Sequence, residues 1–221
     1  MSIRCWRGSF LLFWIVAFGL VHGVGSTDAN LITNGDFETG SLSGWAYFIT
    51  MPNGDGGASG GFPIVIPFDV NQDSVSSLAA AFRVGKDSVN PPGLFGAGIY
   101  QNVMLQEGAV EITADIAALD NVGGGNLQAG FFELILDGIV LDSHNFGAAP
   151  AGVTQSSTLS ATSIVTAGSH QVRFQIRRSY QQNDETPVQY LDDIAVIQIP
   201  EPTILALAGL GLSFIAMRRK R

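Results

Sequence analysis

Apolar and polar residues alternate with a period of two in several separate segments of this chain. The alternation is plainest in residues 99–105, 110–118 and 171–177. A period of two turns every second side chain toward a core and the others toward solvent, as in a half-buried antiparallel strand. Three further apolar segments have the length of strands, namely residues 62–68, 78–84 and 189–198. These patterns predict antiparallel sheets.

The dipeptide Asp137-Gly138 joins two apolar segments, residues 131–136 and 139–141. Asp-Gly supplies the positive φ angles of a tight turn, so a β-hairpin is predicted here. The 27 glycines and the low charged fraction of 14% suit short strands joined by turns. Eight or more strands without a clear helix predict an all-β fold, a single β-sandwich over residues 30–199.

Acidic residues dominate the predicted sandwich. Residues 30–199 hold five basic residues against 17 carboxylates, a formal charge of −12. Such a surface repels phosphate backbones, and no basic stripe offsets the repulsion, so the sequence argues against a nucleic-acid partner. The single cysteine, Cys5, lies before the sandwich, so neither a disulfide framework nor a thiolate site is predicted.

The N-terminus carries the three parts of a secretory signal. Arg4 and Arg7 precede an apolar run at residues 10–21, and small residues follow. We predict a signal peptide over residues 1–25, with cleavage after Gly25 or, as the alternative, after Ala29. An uncleaved anchor is the alternative, but the apolar run reaches only about 18 Å across a hydrocarbon core of roughly 30 Å.

The C-terminus also has three parts. Pro200-Glu201-Pro202 precedes an apolar segment, residues 203–217, and four basic residues end the chain: Arg218, Arg219, Lys220 and Arg221. The apolar segment would be helical in lipid, and the positive-inside rule keeps the basic end in the cytoplasm. This order resembles the PEP-CTERM sorting signal of Gram-negative bacteria, here residues 200–221. A simple tail anchor is the alternative, although the segment is short for a lasting span.

The resemblance to that sorting signal implies a cellular location and a processing enzyme. An exosortase of the inner membrane would recognise and process the tail, with only transient membrane contact through the apolar helix. The protein would be exported across the inner membrane and sorted to the cell surface or extracellular matrix. Proteins with this signal are typical of species that make extracellular polysaccharide or biofilm.

A second resemblance covers most of the region between the two ends. Five segments, in order, look like those of carbohydrate-binding-module and galactose-binding-like jelly rolls: Leu31 to Glu38 with Gly44-Trp45, Tyr100 to Val103, Leu136 to Gly138, Gly168 to Phe174, and Tyr190 to Ile194. The first of them resembles the opening strand. The resemblance implies a single jelly-roll β-sandwich, an architecture that hosts many unrelated ligands.

The resembled modules hold a structural calcium ion between acidic groups of the first and last strands. By that resemblance the ligands would be Asp36 or Glu38 with Asp192 or Asp193, together with backbone carbonyls. Hard oxygen donors of this kind suit calcium. The alternative is that Asn34-Gly35-Asp36 only shapes a turn and the later aspartates are solvated.

Aromatic residues are the candidates for contact with a sugar. Pyranose rings stack their C–H faces on aromatic side chains, while nearby amides and carboxylates bond the hydroxyls. The available platforms are Trp45, Tyr47, Tyr100, Tyr180 and Tyr190. Trp45 more often packs as core in the resembled folds, and Tyr180 lies in a polar stretch.

No catalytic arrangement stands out. The segment starting at Asp69 imitates an EF-hand loop, but Ser74 and Ala80 occupy the positions that require glycine and glutamate. His144 and His170 show neither metal-ligand spacing nor a nucleophile motif. We therefore predict a non-catalytic protein that binds or organises extracellular polysaccharide. The alternative is a purely structural envelope or biofilm protein without a sugar site.

Overall fold

The computed structural model describes residues 29–50, 62–85, 94–121, 125–179 and 186–200. The predicted signal peptide and the predicted apolar helix, residues 203–217, lie outside these residues, as do Tyr180 and the four basic residues at the C-terminus. Within the described ranges, no helix combines the length and apolarity needed to cross a membrane.

The described regular structure consists of β-strands. They are β1 (Ala46–Ile49), β2 (Ile64–Phe68), β3 (Ser77–Phe82), β4 (Leu94–Leu105), β5 (Gly108–Leu119), β6 (Phe131–Leu136), β7 (Ile139–Asn145), β8 (Thr154–Val165), β9 (Gly168–Ser179) and β10 (Val188–Gln198). Two five-stranded antiparallel sheets result, with the orders β1-β4-β9-β6-β7 and β2-β3-β10-β5-β8. The predicted jelly-roll β-sandwich is confirmed.

The core lies between the two sheets and follows the predicted alternation. Ile99, Val103 and Leu105 of β4 point inward, as do Val172 and Phe174 of β9. The Asp137-Gly138 hairpin joins β6 to β7 as predicted, with Asp137 at φ 49° and Gly138 at φ 83°. β2, which contains Pro67, lies at a sheet edge, where a missing N–H costs no ladder bond.

A second, smaller apolar cluster covers part of the outer side of the β2-containing sheet. Tyr190 of β10 stacks on Phe68 with ring centroids 3.6 Å apart, and Val70 is buried in the same cluster. The loop 69–76 extends from there to β8, where the Gln72 amide donates to the Ser156 hydroxyl at 2.6 Å. This loop therefore occupies part of one outer face of the sandwich.

The opening segment, residues 31–38, was predicted to be a strand, but that prediction is wrong in this structure. Its backbone bonds to β10 at Leu31 and Gly35, through Leu31 N to Val196 O and Ile194 N to Gly35 O, both 2.9 Å. Between them Asn34 has φ 56°, and Phe37 follows with φ 52°. A backbone with these left-handed residues cannot maintain the extended geometry of a ladder.

Candidate functional site

The sheet that contains β1, β4, β9, β6 and β7 has an outer face on which aromatic and polar side chains meet. The register pairs Tyr100 of β4 with Arg173 of β9, and Arg173 with Ile135 of β6. One row along, Gln175 pairs with Glu133. Because the inward residues of these strands alternate with them, these side chains all point away from the core. We call this surface the first-sheet face.

Two rings and one guanidinium occupy the β1 side of the first-sheet face. Phe48 and Tyr100 lie with ring centroids 6.2 Å apart, and both are half-buried. The guanidinium carbon of Arg173 lies 4.2 Å from the Phe48 ring centroid, within the range of a cation–π contact. This arrangement holds two partly exposed aromatic surfaces beside a fixed positive charge.

A carboxylate network occupies the middle of the first-sheet face. Glu133 is buried, and its carboxylate accepts bonds from Gln175 Nε2 at 2.8 Å and Arg177 Nη2 at 2.7 Å. The Arg177 guanidinium also lies over the Phe131 ring at 4.8 Å. The buried carboxylate is therefore compensated, and it fixes the amide of Gln175 in one orientation.

A cleft of about 350 Å³ opens at the Phe131 end of the first-sheet face. Phe131, Arg177, Asn145 and Gln128 contribute to its lining. Its volume lies at the low end of the range of small-ligand pockets, and its lining combines an aromatic ring with hydrogen-bonding groups. It extends the polar and aromatic surface beyond the strands.

The predicted aromatic platforms separate into different environments. Trp45 is only 9% exposed; its ring packs on Phe37 and Phe174, and its indole N–H donates to Asn34 O at 2.9 Å. Tyr47 pairs with the inward-facing Ile99 and packs against the core. Tyr190 is buried against Phe68, and this burial raises its pKa to about 12. Of the described candidates, Tyr100 alone lies on the first-sheet face.

Phe48, Phe131, Glu133, Arg173 and Gln175 were not predicted as site residues. The sequence did contain a usable signal, because the alternation of β9 places Arg173, Gln175 and Arg177 outward. The sequence pattern did not give the order of the strands in the sheet. Only the pairing of β9 with both β4 and β6 brings those side chains beside Tyr100 and Glu133.

The four predicted calcium ligands lie near one end of the β10 pairing with β3. In this region the register of β10 with β5 shifts, between Asp192 and Ala195. Asp192 is 2% exposed and accepts a short bond of 2.5 Å from the Ser77 hydroxyl. Glu38 accepts the Leu78 N–H at 2.9 Å, beyond the end of the β3 pairing with β10. Both carboxylates thus satisfy hydrogen-bond donors of β3.

Asp36 and Asp193 line one cleft, of about 350 Å³, together with Asn30, Asn34 and neighbouring backbone. Partial burial, and then the charges of Asp115, Asp36, Asp73 and Glu38, raise the pKa of Asp193. Burial is also the main reason that the pKa of Asp192 is raised to about 6. Several carboxylates therefore lie close together here, and burial and mutual repulsion destabilise their charged forms. Protonation or a bound cation would reduce this destabilisation.

Within the described ranges, no three acidic, histidine or cysteine side chains converge closely enough to form a metal-binding group. Asn34 and Asp36 have turn roles, because Asn34 Nδ2 donates to Ser41 O and Ser43 O and Asp36 accepts the Glu38 N–H. The loop that starts at Asp69 is likewise held by its own carboxylates, with Asp69 accepting the Ser74 N–H at 2.9 Å.

The two described histidines have local partners. His170 bonds Asp137 at 2.6 Å and the Thr166 carbonyl at 2.9 Å, and these bonds raise its pKa. His144 packs against Phe146 and lies 3.4 Å from the Ser157 hydroxyl.

A family comparison matches the C-terminus. Residues 198–221 match the model of the PEP-CTERM protein-sorting motif, which confirms the motif predicted there from Pro200, Glu201 and Pro202. The motif implies a secreted protein that is processed by an exosortase and tied to the cell envelope. No curated protein matches the chain in sequence.

Several solved structures share the fold at low sequence identity. The module TmCBM61, solved in complex with beta-1,4-galactotriose, is 13% identical, with a TM-score of 0.48 over 77% of this chain and 99% of that one. The Stig cyclase Fisc from Fischerella sp. TAU is 16% identical, with a TM-score of 0.46 over 77% and 97%. The module titled Family 16 Carbohydrate Binding Module-2 is 16% identical, with a TM-score of 0.42 over 76% and 100%. These similar structures include two binding modules and a cyclase, and the similarity concerns the fold alone.

Proposed function

We propose that this protein is exported, sorted by an exosortase, and binds extracellular polysaccharide without catalysis through the first-sheet face. The face offers what a saccharide needs. Rings of Phe48 and Tyr100 present surfaces for C–H stacking, and the fixed amide of Gln175 presents a hydrogen-bonding group nearby. This juxtaposition of rings and an oriented amide on one face of a sheet carries the proposal.

The cellular location that the sorting motif implies supports the same proposal. A sorting motif at residues 198–221 implies a secreted protein tied to the cell envelope, where it would meet extracellular polysaccharide. The exosortase would recognise Pro200-Glu201-Pro202, with the apolar segment 203–217 and the basic end holding the tail in the membrane during processing. Final placement at the cell surface or matrix of a Gram-negative bacterium belongs to the proposal.

Replacing Tyr100 tests the proposed face. We expect Tyr100→Ala in the full chain, purified in mild detergent, to weaken binding to any recognised glycan by about tenfold, because one stacking platform is lost. Binding would be measured on a glycan array and then by calorimetry with the best ligand. Met104→Ala is the matched control, since Met104 lies on the same side of the same strand and is 70% exposed.

Absence of binding to every glycan, with and without calcium, would contradict the proposed function. Equal binding by the wild type and Tyr100→Ala would instead place the site elsewhere. Melting curves of the variants exclude unfolding as the cause of a loss.

We further propose a structural calcium ion at the acidic end of β10, with ligands among Asp36, Glu38, Asp192 and Asp193 and backbone carbonyls. Support comes from the raised pKa of Asp192 and Asp193 and from the shared cleft of Asp36 and Asp193. A cation there would offset the repulsion between these carboxylates.

The pH dependence of stability tests this site. Without calcium, we expect the free energy of unfolding to fall by about 1–2 kcal/mol as pH rises from about 4 to about 7. The folded state, with Asp192 near pKa 6, holds a proton that the unfolded state has already released, so stability is lost as that proton leaves. Asp192→Asn should remove this part of the slope, while Glu107→Gln, in the exposed β4–β5 turn, should not.

Calcium should restore stability at pH 7 in the wild type, because an ion bound only by the folded state stabilises it. Chemical denaturation in EDTA and in calcium at each pH measures both effects. Identical curves in the two buffers would reject the ion, and equal slopes for the wild type and Asp192→Asn would reject the role of Asp192.

A further inference from the structure

We infer that the polysaccharide recognised by the first-sheet face is anionic, built with uronic acid sugars, and that Arg173 binds their carboxylates. The inference rests on the proposed function and names the class of ligand. It comes from the charge and contacts of one side chain.

The first-sheet face differs in charge from the rest of the sandwich. Residues 30–199 carry 17 carboxylates and five basic residues, yet two of those five, Arg173 and Arg177, point out of β9 onto this face. The acidic side chain that the described strands place on it is Glu133, which is buried and bonded to Arg177. Among the described residues, Arg173 is therefore the charge of this face that has no ion-pair partner.

The contacts of Arg173 hold it in place without neutralising it. Within the described ranges, its guanidinium lies over the Phe48 ring at 4.2 Å and makes no ion pair. Its Nε–H is buried and has no hydrogen-bond partner among those residues. A ligand cannot reach this enclosed Nε atom, so an acceptor would bond the terminal Nη groups, and the positive charge there has no ion-pair partner among the described residues.

A carboxylate satisfies these conditions better than a hydroxyl. Arginine presents a planar set of N–H donors that matches a carboxylate in two parallel bonds. In a uronic acid the carboxylate is attached to the sugar ring itself. A ring stacked on Tyr100 would bring that carboxylate beside Arg173, which pairs with Tyr100 across β4 and β9, while Gln175 remains available for a hydroxyl.

Because the rest of the sandwich is acidic, recognition of an acidic glycan has to come from contacts at the first-sheet face itself. A formal charge of −12 repels a polyanion, so general attraction to the protein cannot account for binding. Raising the salt concentration screens this repulsion over distances beyond about 8 Å but affects a close, partly buried pair much less. Binding of an acidic glycan would therefore persist at moderate salt.

Matched acidic and esterified sugars test the inference. The probes are short oligomers of galacturonate, glucuronate and mannuronate, and their methyl esters, titrated by calorimetry into the full chain in mild detergent. We expect at least one acid to bind about tenfold or more tightly than its ester. Arg173→Gln should abolish that preference, and Arg173→Lys should keep part of it because the charge remains but the planar fork is lost.

Arg83→Gln is the matched control, since Arg83 also lies over a ring, Phe62 at 5.0 Å, but beside the other sheet. It should leave the preference intact. Equal binding of acid and ester by the wild type, with Tyr100→Ala still weakening both, would overturn the inference and keep the proposed function. A preference for the acid that Arg173→Gln leaves unchanged would also overturn the inference. Failure to bind any glycan would overturn both.

Discussion

Gly35→Ala is expected to destabilise the protein by about 3 kcal/mol or more, or to prevent folding. A Cβ atom at Gly35 would lie 2.1 Å from the Ile194 carbonyl oxygen and 3.1 Å from its carbon. Both atoms belong to the backbone of β10, which is held on its other side by β5. The opening segment would have to move away, which breaks the bond from Ile194 N to Gly35 O.

Gly40→Ala provides the control for this substitution. Gly40 lies in the same opening loop with φ +72°, and a Cβ there would meet nothing within 4 Å. We expect a loss of only about 1 kcal/mol, from the positive φ. Chemical denaturation of both variants measures the difference. Equal losses would show that the close approach to Ile194 does not constrain the fold.

Arg178→Met is expected to cost about 3 kcal/mol of stability, an unusual effect for removing a charge. Arg178 is 1% exposed. Its guanidinium donates to Gln128 O at 2.6 Å, to Gly85 O at 3.0 Å and to Asn126 Oδ1 at 2.7 Å. It thus ties β9 to the turn after β3 and to the connection before β6, and methionine would leave buried carbonyls without this donor.

Arg173→Met, on the same strand but on the first-sheet face, is the matched control. Its guanidinium contacts Phe48 and makes no ion pair among the described residues, so we expect a loss below about 1 kcal/mol. Thermal melting of both variants gives the comparison. If Arg178→Met melts with the wild type, the connection between these loops does not depend on the arginine.

Alternation predicted most strands of the sandwich, because a half-buried antiparallel strand imposes a period of two on its sequence. Alternation was less successful for two strands in which the period of two is hard to see. β8 is rich in serine and threonine and lies at a sheet edge, so its apolar contrast is weak. β1 spans only Ala46–Ile49, too short for a pattern to show.

Arg178 shows why an alternation rule cannot replace the structure. The period of two in β9 puts four side chains on its inner side, namely Val172, Phe174, Ile176 and Arg178. Hydrophobicity alone would not predict Arg178 as a core residue. The structure accommodates it because acceptors from two separate connections meet at the end of the strand. Contacts between segments distant in sequence were not available from the pattern.

The segments that carried the jelly-roll resemblance contact one another in pairs. Gln101 bonds Thr33 N at 2.8 Å and the Gly44 carbonyl at 3.0 Å, which joins the second segment to the first. Asp137 accepts the Gln171 N–H at 2.8 Å, which joins the third to the fourth. The contacts between these segments therefore stabilise the fold. The segments include Tyr100 and Arg173 of the first-sheet face but not Phe48, Phe131, Glu133 or Gln175. For that reason the sequence predicted the architecture better than the binding surface.

A structure of the full chain with its best glycan is the most direct measurement of the proposed function. We predict a sugar ring in van der Waals contact, about 4 Å, with Phe48 or Tyr100 on the first-sheet face. We also predict an oxygen of that glycan within hydrogen-bonding distance of Gln175 or Arg173. A glycan seated instead in the cleft of Asp36 and Asp193, or on the sheet covered by the loop 69–76, would contradict this assignment.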